Sequence, residues 1–273
     1  MTIRQWIKSP KAYVMAAMMA CLILASAGSQ DMKGVLNGVI AVGMCVVVDV
    51  LLGLMEKRKR LLPDGAVVTG LIIALILSTT TSWLIVAATA VISILSKHLL
   101  VYRKKPVFNP AAFGLLLSIL IFGTSQSWWG AFGDLPSWTV LLLLVGGYPV
   151  VSRVNKYPQV FSYLGTALLL LLVMGLLHVG DASDALRSPF INATLFFGLF
   201  MLTDPPTSPA KVKDQIVFGI IAAGAGMAIY GLFGGLMYLF IGLLIANLYH
   251  VVRTRAILKD TQRQNLKIQK ITL

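Results

Sequence analysis

The chain has 273 residues, of which 58% are hydrophobic and 12% are charged. Soluble domains carry about 25% charged residues, so this composition excludes an ordinary soluble globular protein and predicts an integral membrane protein. The formal net charge of +13 would suit a nucleic-acid-binding protein only if the basic residues formed one surface patch.

Ten apolar segments follow one another along the chain. They cover residues 12–28, 35–55, 63–78, 83–100, 108–123, 137–152, 159–178, 189–203, 215–232 and 234–252. Stretches such as 140–145 and 168–172 are apolar at every position, whereas the strands of a membrane β-barrel alternate apolar and polar residues. Helices are the other structure that satisfies the backbone in lipid. We therefore predict an all-α polytopic membrane protein with about ten transmembrane segments.

The basic residues concentrate in alternate loops between these segments. Those loops contain Arg4, Lys8, Lys11; Lys57, Arg58, Lys59, Arg60; Arg103, Lys104, Lys105; Arg153, Lys156; Lys211, Lys213; and, in the tail, Arg253, Arg255, Lys259, Arg263, Lys267 and Lys270. The intervening loops contain only Lys33 and Arg187. Because basic loops stay in the cytoplasm, we predict ten crossings of a prokaryotic plasma membrane with both termini cytoplasmic. This distribution favours contact with the lipid bilayer and predicts no nucleic-acid partner.

Each half of the chain contains five predicted crossings, an odd number. If the halves are structural repeats, the second is therefore inverted relative to the first. We predict a first five-helix repeat at 1–125, an external connector at 126–136, a second repeat at 137–252 and a basic cytoplasmic tail at 253–273. A shift of 126 residues places Pro63 on Pro189 and Thr81 on Thr207, although chance similarity between apolar segments is an alternative. A cleavable secretory signal at 8–27 is also an alternative, but its removal would break the first repeat.

Two segments, at 63–78 and 189–203, look too short to cross a bilayer and occupy matching places in the two halves. A spanning helix needs about 20 apolar residues, and paired short segments in a repeat protein indicate a binding site near the midplane. Polar and flanking residues of these segments and of the one from 108 are candidate ligand contacts: Asp64, Thr69, Asn109, Pro110, Asn192 and Thr194. Helix N-termini directed at such a site favour a phosphate or another anion. Asp64 and Asn109 could instead cap helices, with Pro110 in the first helical position.

Two further candidate functional elements, a turn and an apolar segment, each contain a carboxylate. Thr203, Asp204 and Thr207 close the eighth segment together with prolines, and this turn could contact a ligand or simply stop the helix. Asp49 is the one carboxylate inside a predicted span, where a charge at the bilayer centre costs about 2.5–3.5 kcal/mol. An ion or proton relay and an ion pair with Lys57 or Arg58 are both compatible with Asp49.

The remaining aromatic and basic residues predict contacts with the membrane surface. Trp128, Trp129 and Trp138 of the connector are expected to anchor the chain at headgroup depth. The basic tail is expected to lie on the inner leaflet or to dock to a partner subunit. His98, His178 and His250 are scattered and are expected to be interfacial residues, because no metal-binding motif contains them.

Three motifs resemble a known family of membrane proteins. They are Pro-Asp-Gly-Ala-Val-Val-Thr-Gly from Pro63, Phe-Asn-Pro-Ala-Ala-Phe-Gly from Phe108, and Phe-Met-Leu-Thr-Asp-Pro from Phe200. In this order and spacing they are similar to the family that contains the B subunit of the sodium-pumping NADH:quinone reductase and the D subunit of the Rnf electron-transport complex. The resemblance implies two inverted five-helix repeats related to the urea-transporter fold, and a membrane flavoprotein that passes electrons in a multi-subunit complex.

The sequence departs from that family at the flavin attachment motif. Those subunits bind FMN through a phosphoester to a threonine in Ser-Gly-Ala-Thr, a tetrapeptide that is absent from this chain. We therefore predict that FMN or riboflavin binds non-covalently in the space between the repeats. The nine candidate contacts are Asp64, Thr69, Asn109, Pro110, Asn192, Thr194, Thr203, Asp204 and Thr207. Predicted partners are other membrane subunits of an electron-transport complex or a flavin-carrying extracytoplasmic domain. The alternative is a transporter or channel for a small solute such as a flavin or a urea-like molecule.

Overall fold

The computed structural model describes residues 5–6, 9–30, 32–58 and 61–271, with side chains as far as Leu258, and it is almost entirely helical. Its helices are α1 (Pro10–Ser29), α2 (Met32–Met55), α3 (Asp64–Ile76), α4 (Trp83–Leu99), α5 (Pro110–Phe122), α6 (Val140–Val154), α7 (Tyr157–Leu176), α8 (Ala182–Ala185), α9 (Phe190–Phe196), α10 (Val212–Phe233) and α11 (Tyr238–Ile271). Short 3₁₀ turns cover Trp129–Ala131 and Ser137–Thr139, and a π-helix covers Phe197–Met201. A two-stranded hairpin pairs β1 (Val101–Tyr102) with β2 (Lys105–Pro106).

Six helices of the described part are long and apolar enough to cross a membrane: α1, α2, α6 with its preceding turn, α7, α10 and α11 as far as Leu258. The prediction of an all-α polytopic membrane protein is therefore confirmed. Four shorter apolar helices accompany them, namely α3, α4, α5 and α9 with the π-helix. The sequence predicted two segments that are too short to cross a bilayer. In the structure α4 and α5 are also shorter than a full span.

The last predicted segment ended at residue 252, but α11 continues without a break to Ile271. The tail backbone is thus an extension of the last membrane helix and not a separate surface helix. Its side chains beyond Leu258, like the basic residues Arg4, Lys8, Lys59 and Arg60, lie outside the described residues.

The two halves of the chain pack their helices in the same order. In the first half α1 contacts α3, α2 contacts α4, and α4 contacts α5. In the second half α6 contacts the α9–π segment, α7 contacts α10, and α10 contacts α11. The halves meet where α1 contacts α6 and where α5 contacts α11. This order is what a repeated five-helix unit gives, while the inversion of the second unit and the repeat boundaries stay predictions.

One half-helix lies at the third position of each half. Helix α3 has 13 residues and the α9–π segment spans Phe190–Met201, so each is about 20 Å long at 1.5 Å per residue. A hydrocarbon core of about 30 Å is thicker than either. Backbone groups at their ends must therefore find partners inside the protein.

The connector between the halves supplies these partners to α3. The backbone amides of Ser127 and Trp128 both donate to the Ile76 carbonyl at 3.1 Å, and Trp129 Nε1 donates to the Ala74 carbonyl at 2.7 Å. Trp128 is fully buried and stacks on Phe240, with ring centroids 5.5 Å apart. The prediction that Trp128 and Trp129 anchor the chain at headgroup depth is therefore wrong, because the end of α3 binds them. Trp138 is 63% exposed, as an interfacial tryptophan should be.

Large aromatic side chains fill the space beside the second half-helix. Phe196 and Phe197 are fully buried; Phe196 packs against Phe200 with a centroid separation of 5.1 Å, and Phe197 packs against Tyr163 at 5.2 Å. The π-helix places the Leu202 amide on the Phe197 carbonyl, five residues back, at 2.9 Å. A single π turn is often associated with a functional site, and here it directs the chain into the loop that carries Asp204.

Candidate functional site

The structure separates the predicted contact residues into three groups. Asn109, Pro110, Thr203, Asp204 and Thr207 lie where α5 meets the end of the π-helix; Asn192 and Thr194 lie near the start of the α9–π segment; Asp64 and Thr69 lie in the first two turns of α3. The first group is extended by residues that the sequence did not single out, Lys156, Gln159 and Asn247.

Asn109 forms a hydrogen-bonded junction between the two halves of the chain. Its backbone amide donates to Asn247 Oδ1 at 2.9 Å, and Asn247 Nδ2 donates to the Thr207 carbonyl at 3.0 Å. Asn109 Nδ2 reaches the Met201 carbonyl at 3.4 Å, and its Oδ1 accepts from the Ala112 amide at 3.1 Å. The predicted N-cap role of Asn109, with Pro110 in the first helical position, is confirmed. We call Asn109, Asn247 and the Met201 and Thr207 carbonyls the Asn109 junction.

Side-chain amides also satisfy the end of the second half-helix. Gln159 Nε2 donates to the Leu202 carbonyl at 2.6 Å, and Thr203 Oγ1 donates to the Leu199 carbonyl at 2.9 Å. In the first half Asn37 Nδ2 lies 3.3 Å from the Thr79 and Thr81 carbonyls after α3. The second helix of each half therefore supplies an amide to the backbone that follows a half-helix. Gln159 and Thr203 thus give partners to buried carbonyls of the second half-helix that would otherwise be unsatisfied.

Asp204 belongs to a turn held by its own neighbours. Thr207 Oγ1 donates to Asp204 Oδ2 at 2.8 Å, and Ser208 Oγ donates to the Asp204 carbonyl at 2.6 Å. Part of Asp204 stays accessible, but protein atoms surround the carboxyl densely, and this burial raises its pKa. The Thr207 hydrogen bond and the charge of Lys156 oppose that rise.

Lys156 precedes α7 and is almost completely enclosed, with 3% of its surface exposed. Its ammonium donates to Ser208 Oγ at 2.9 Å and to the Pro209 carbonyl. Burial lowers the Lys156 pKa to about 8, although the nearby Asp204 carboxylate opposes this change. Lys156 thus fixes the Asp204 turn against the start of α7.

The lowered pKa of Lys156 predicts a specific pH dependence of stability. Between about pH 8 and the ordinary lysine value near 10.4, the unfolded chain binds more protons than the folded chain. The free energy of unfolding therefore rises with pH in this window, by up to about 3 kcal/mol from this residue. Lys156→Met should lack this rise, whereas Lys213→Met, at an exposed lysine, should keep it. Thermal unfolding in detergent at several pH values measures the difference, and equal pH slopes for all three proteins contradict it.

The other two groups of predicted contacts are also engaged in internal hydrogen bonds. Asn192 Nδ2 donates to the Ala131 carbonyl at 2.9 Å, so it ties the second half-helix to the connector. The Thr194 hydroxyl pairs with the Tyr238 hydroxyl at 2.8 Å, and Thr69 Oγ1 donates to the Gly65 carbonyl at 2.8 Å. Asp64 begins α3, but the N-cap position is Pro63 and no side chain caps the helix there. The N-cap role predicted for Asp64 is therefore wrong, because the helix starts one residue earlier than that role requires.

Two cavities in the described part of the chain are too small for FMN or riboflavin. They hold about 20 and about 70 Å³, whereas pockets for ligands of that size hold about 300–1,000 Å³. The larger cavity is lined by α7, α8 and α9, mostly by leucine and alanine, with Thr194 as its one hydroxyl. The predicted contacts are divided among three places, and those of them with hydrogen bonds, such as Asn109, Asn192 and Thr203, bind backbone or neighbouring side chains. As arranged in the structure, these residues do not fit a flavin enclosed between the halves.

A second polar site surrounds Asp49 on α2. Its Oδ1 accepts from Lys97 Nζ at 2.7 Å and lies 2.9 Å from His98 Nε2. His98 Nδ1 lies 2.8 Å from Glu56 Oε1, and Arg58 Nε pairs with Glu56 Oε2 at 2.7 Å. We call these five residues the Asp49 cluster. The alternative in which Asp49 pairs with Lys57 or Arg58 is wrong, because α4 packs on α2 and brings Lys97 and His98 closer.

The Asp49 cluster depends on the close approach of three helices. Gly65 at the start of α3 lies against the Lys97 ammonium, and a Cβ at that position would be 3.4 Å from Nζ. His98 is 8% exposed, so the prediction that it is a simple interfacial residue is wrong. Its pairing was not visible in the sequence because His98 and Asp49 are 49 positions apart.

Comparison with known proteins agrees with the motifs. The family described as NQR2, RnfD, RnfE matches the chain twice, at residues 4–138 and at residues 122–251. The two matches cover the two halves that pack in the same order. No curated protein matches the chain. Because the family matches cover most of the sequence, this chain belongs to the NQR2, RnfD, RnfE family.

Proposed function

We propose that this chain is an integral membrane subunit of an electron-transport complex of Rnf or Nqr type, in a prokaryotic plasma membrane with both termini in the cytoplasm. The double family match from residue 4 to residue 251 carries this proposal. Six candidate membrane spans support it. The basic residues on alternate loops support the orientation.

The proposal gives the chain the role of a rigid membrane scaffold for redox partners. Its second half-helix is tied at both ends, to the connector through Asn192 and to the opposite half through Asn109. Other membrane subunits of the complex, or a flavin-carrying extracytoplasmic domain, would bring the remaining redox centres. Electron relay and coupling to ion movement, with Asp49 as the ionisable group inside a span, belong to this proposal.

FMN or riboflavin stays part of the proposal as a cofactor bound without a covalent bond. We place it where the chain meets its partners, because the nine predicted contacts are divided among three places within the chain and Ser-Gly-Ala-Thr is absent. When bound, a flavin supplies one-electron and two-electron chemistry. The alternative of a solute channel is disfavoured by the aromatic side chains of Trp128, Phe196 and Phe240, which are fully buried and in contact with one another.

Purification from native membranes tests the proposed function. With a tag on the chain, we expect redox subunits to co-purify and the complex to release flavin on acid treatment. The chain alone, in a denaturing gel, should show no flavin fluorescence, since no covalent bond holds the cofactor. Leu164-Gly165-Thr166-Ala167 is a poor substitute for Ser-Gly-Ala-Thr, inside helix α7. The control Thr166→Val removes its threonine and should not change the flavin content. Purification without any partner, together with solute uptake by proteoliposomes that contain only this chain, contradicts the proposal.

A further inference from the structure

The His98 ring on α4 lies between two carboxylates, one on α2 and the other on the residue that follows α2. Nδ1 is 2.8 Å from Glu56 Oε1 and Nε2 is 2.9 Å from Asp49 Oδ1. A neutral imidazole can donate from only one nitrogen, whereas an imidazolium can donate from both. The geometry therefore holds a ring that exchanges protons with a carboxylate on either side.

The three groups lead from the surface into the protein. The Glu56 side chain is 42% exposed, whereas the His98 and Asp49 side chains are 2% and 7% exposed. Beside Asp49 lies the cavity of about 20 Å³, lined by Asp49, Val50, Arg58, Leu61 and Leu62. A polar cavity of this size holds one water molecule. Asp49 is thus connected through His98 to the exposed carboxylate of Glu56, and it also adjoins a cavity with room for one water molecule.

Charged neighbours stabilise the ionised form of Asp49, which is the form that can accept a proton. Lys97 gives the ionised carboxylate a partner at 2.7 Å, and an ionised carboxylate without one would be costly in an apolar interior. Arg58 pairs with Glu56 and lies 3.4 Å from His98 Nδ1. Two more carboxylates belong to the elements around Lys97, Asp64 at the start of α3 and Asp204 in the loop after the π-helix.

We propose that Glu56, His98 and Asp49 form a proton-uptake site, in which Glu56 takes a proton from the cytoplasm and His98 passes it to Asp49. The His98 hydrogen bond lowers the pKa of Glu56, so Glu56 gives up its proton readily. The use of this proton rests on the proposed electron-transport function. The uptake itself is a property of this chain.

One passage conserves protons and charge. The ring begins neutral, with its proton on Nε2 directed at Asp49. Protonated Glu56 gives its proton to Nδ1, so the Glu56 O–H bond breaks as the Nδ1–H bond forms. The Nε2–H bond then breaks as an O–H bond forms on Asp49, which leaves a Glu56 carboxylate, a neutral ring protonated on Nδ1, and a carboxylic acid at Asp49. Exchange of the ring proton with water restores the starting tautomer.

A pH-jump experiment tests this route. The full chain, reconstituted in lipid nanodiscs without redox partners, is shifted from high to low pH while infrared spectroscopy follows the carboxylic acid C=O band. We expect a band that Asp49→Asn abolishes. In His98→Gln and Glu56→Gln, the same band should form at least about tenfold more slowly, because the general acid–base step is lost.

Controls separate this route from a purely structural cluster. Asp134→Asn, at an exposed connector residue, should leave the Asp49 band and its rate unchanged. Circular dichroism confirms that each variant is folded, and the unchanged amplitude of the Asp49 band in Glu56→Gln shows that the buried site is intact. An Asp49 band that forms at the wild-type rate in folded His98→Gln, or no Asp49 band at any pH, overturns the proposal. Because no redox partner is present, neither result depends on the proposed electron-transport function.

Discussion

Alanine at Gly242 or Gly70 is expected to destabilise the fold by about 3 kcal/mol or more. A Cβ at Gly242, on α11, would lie 2.3 Å from the Ala222 carbonyl oxygen and 3.1 Å from Gly226 Cα on α10. A Cβ at Gly70, on α3, would lie 2.6 Å from Val42 Cα on α2. Both contacts are with backbone, so whole helices must shift to admit one methyl group. Unfolding by SDS in mixed micelles, followed by far-ultraviolet circular dichroism, measures the loss.

Glycines on the two partner helices, α2 and α10, serve as controls. A Cβ at Gly43 on α2 or Gly224 on α10 would meet nothing within 4 Å. Alanine at these positions should be neutral or stabilise by up to about 1 kcal/mol, because alanine has the higher helix propensity. If all four alanine variants unfold alike, the close helix contacts described for α10 with α11 and α2 with α3 are incorrect.

Asn247→Leu is expected to have the second largest effect, a loss of about 2–4 kcal/mol. Asn247 is completely buried and serves both the Asn109 amide and the Thr207 carbonyl. Leucine leaves both backbone groups without a partner, and each such group costs about 1–3 kcal/mol, partly offset by the added apolar surface. The free energy of unfolding in mixed micelles measures the change.

Asn37→Leu is the matched control for Asn247→Leu. Asn37 also donates to backbone carbonyls, those of Thr79 and Thr81, but these lie in a partly exposed loop where water can replace the amide. We expect a loss of no more than about 1 kcal/mol. Equal losses in the two variants would mean that the Asn109 junction has no special role in joining the halves.

The helices could be predicted from the sequence because their signals are local. Apolar runs set most helix positions to within a few residues, and Asn109 followed by Pro110 identified the start of α5. The Asn109 partners could not be predicted in this way. Asn247 lies 138 residues from Asn109, and nothing in a run such as Ile-Ala-Asn-Leu indicates what its amide will contact.

The errors have a common physical cause. Trp128 and Trp129 were expected at the membrane surface because tryptophan is common there, but α3 ends inside the protein and its last carbonyls bind the connector. His98 was expected to be an interfacial residue, and Lys97 precedes it directly in the sequence. They are drawn to Asp49 because a buried carboxylate needs a partner, and only the packing of α4 on α2 determines which basic residue is near enough.

The cytoplasmic or external position of each loop is the most direct test of the inverted two-repeat topology. Cys21 and Cys45 are buried and can be replaced by serine, and single cysteines can then be placed at the exposed residues Arg103, Asp134, Ser183 and Lys213. A membrane-impermeant maleimide added to intact cells should label positions 134 and 183 and should reach 103 and 213 only after the cells are opened. Labelling of 103 or 213 in intact cells, or protection of 134 or 183, would contradict the topology.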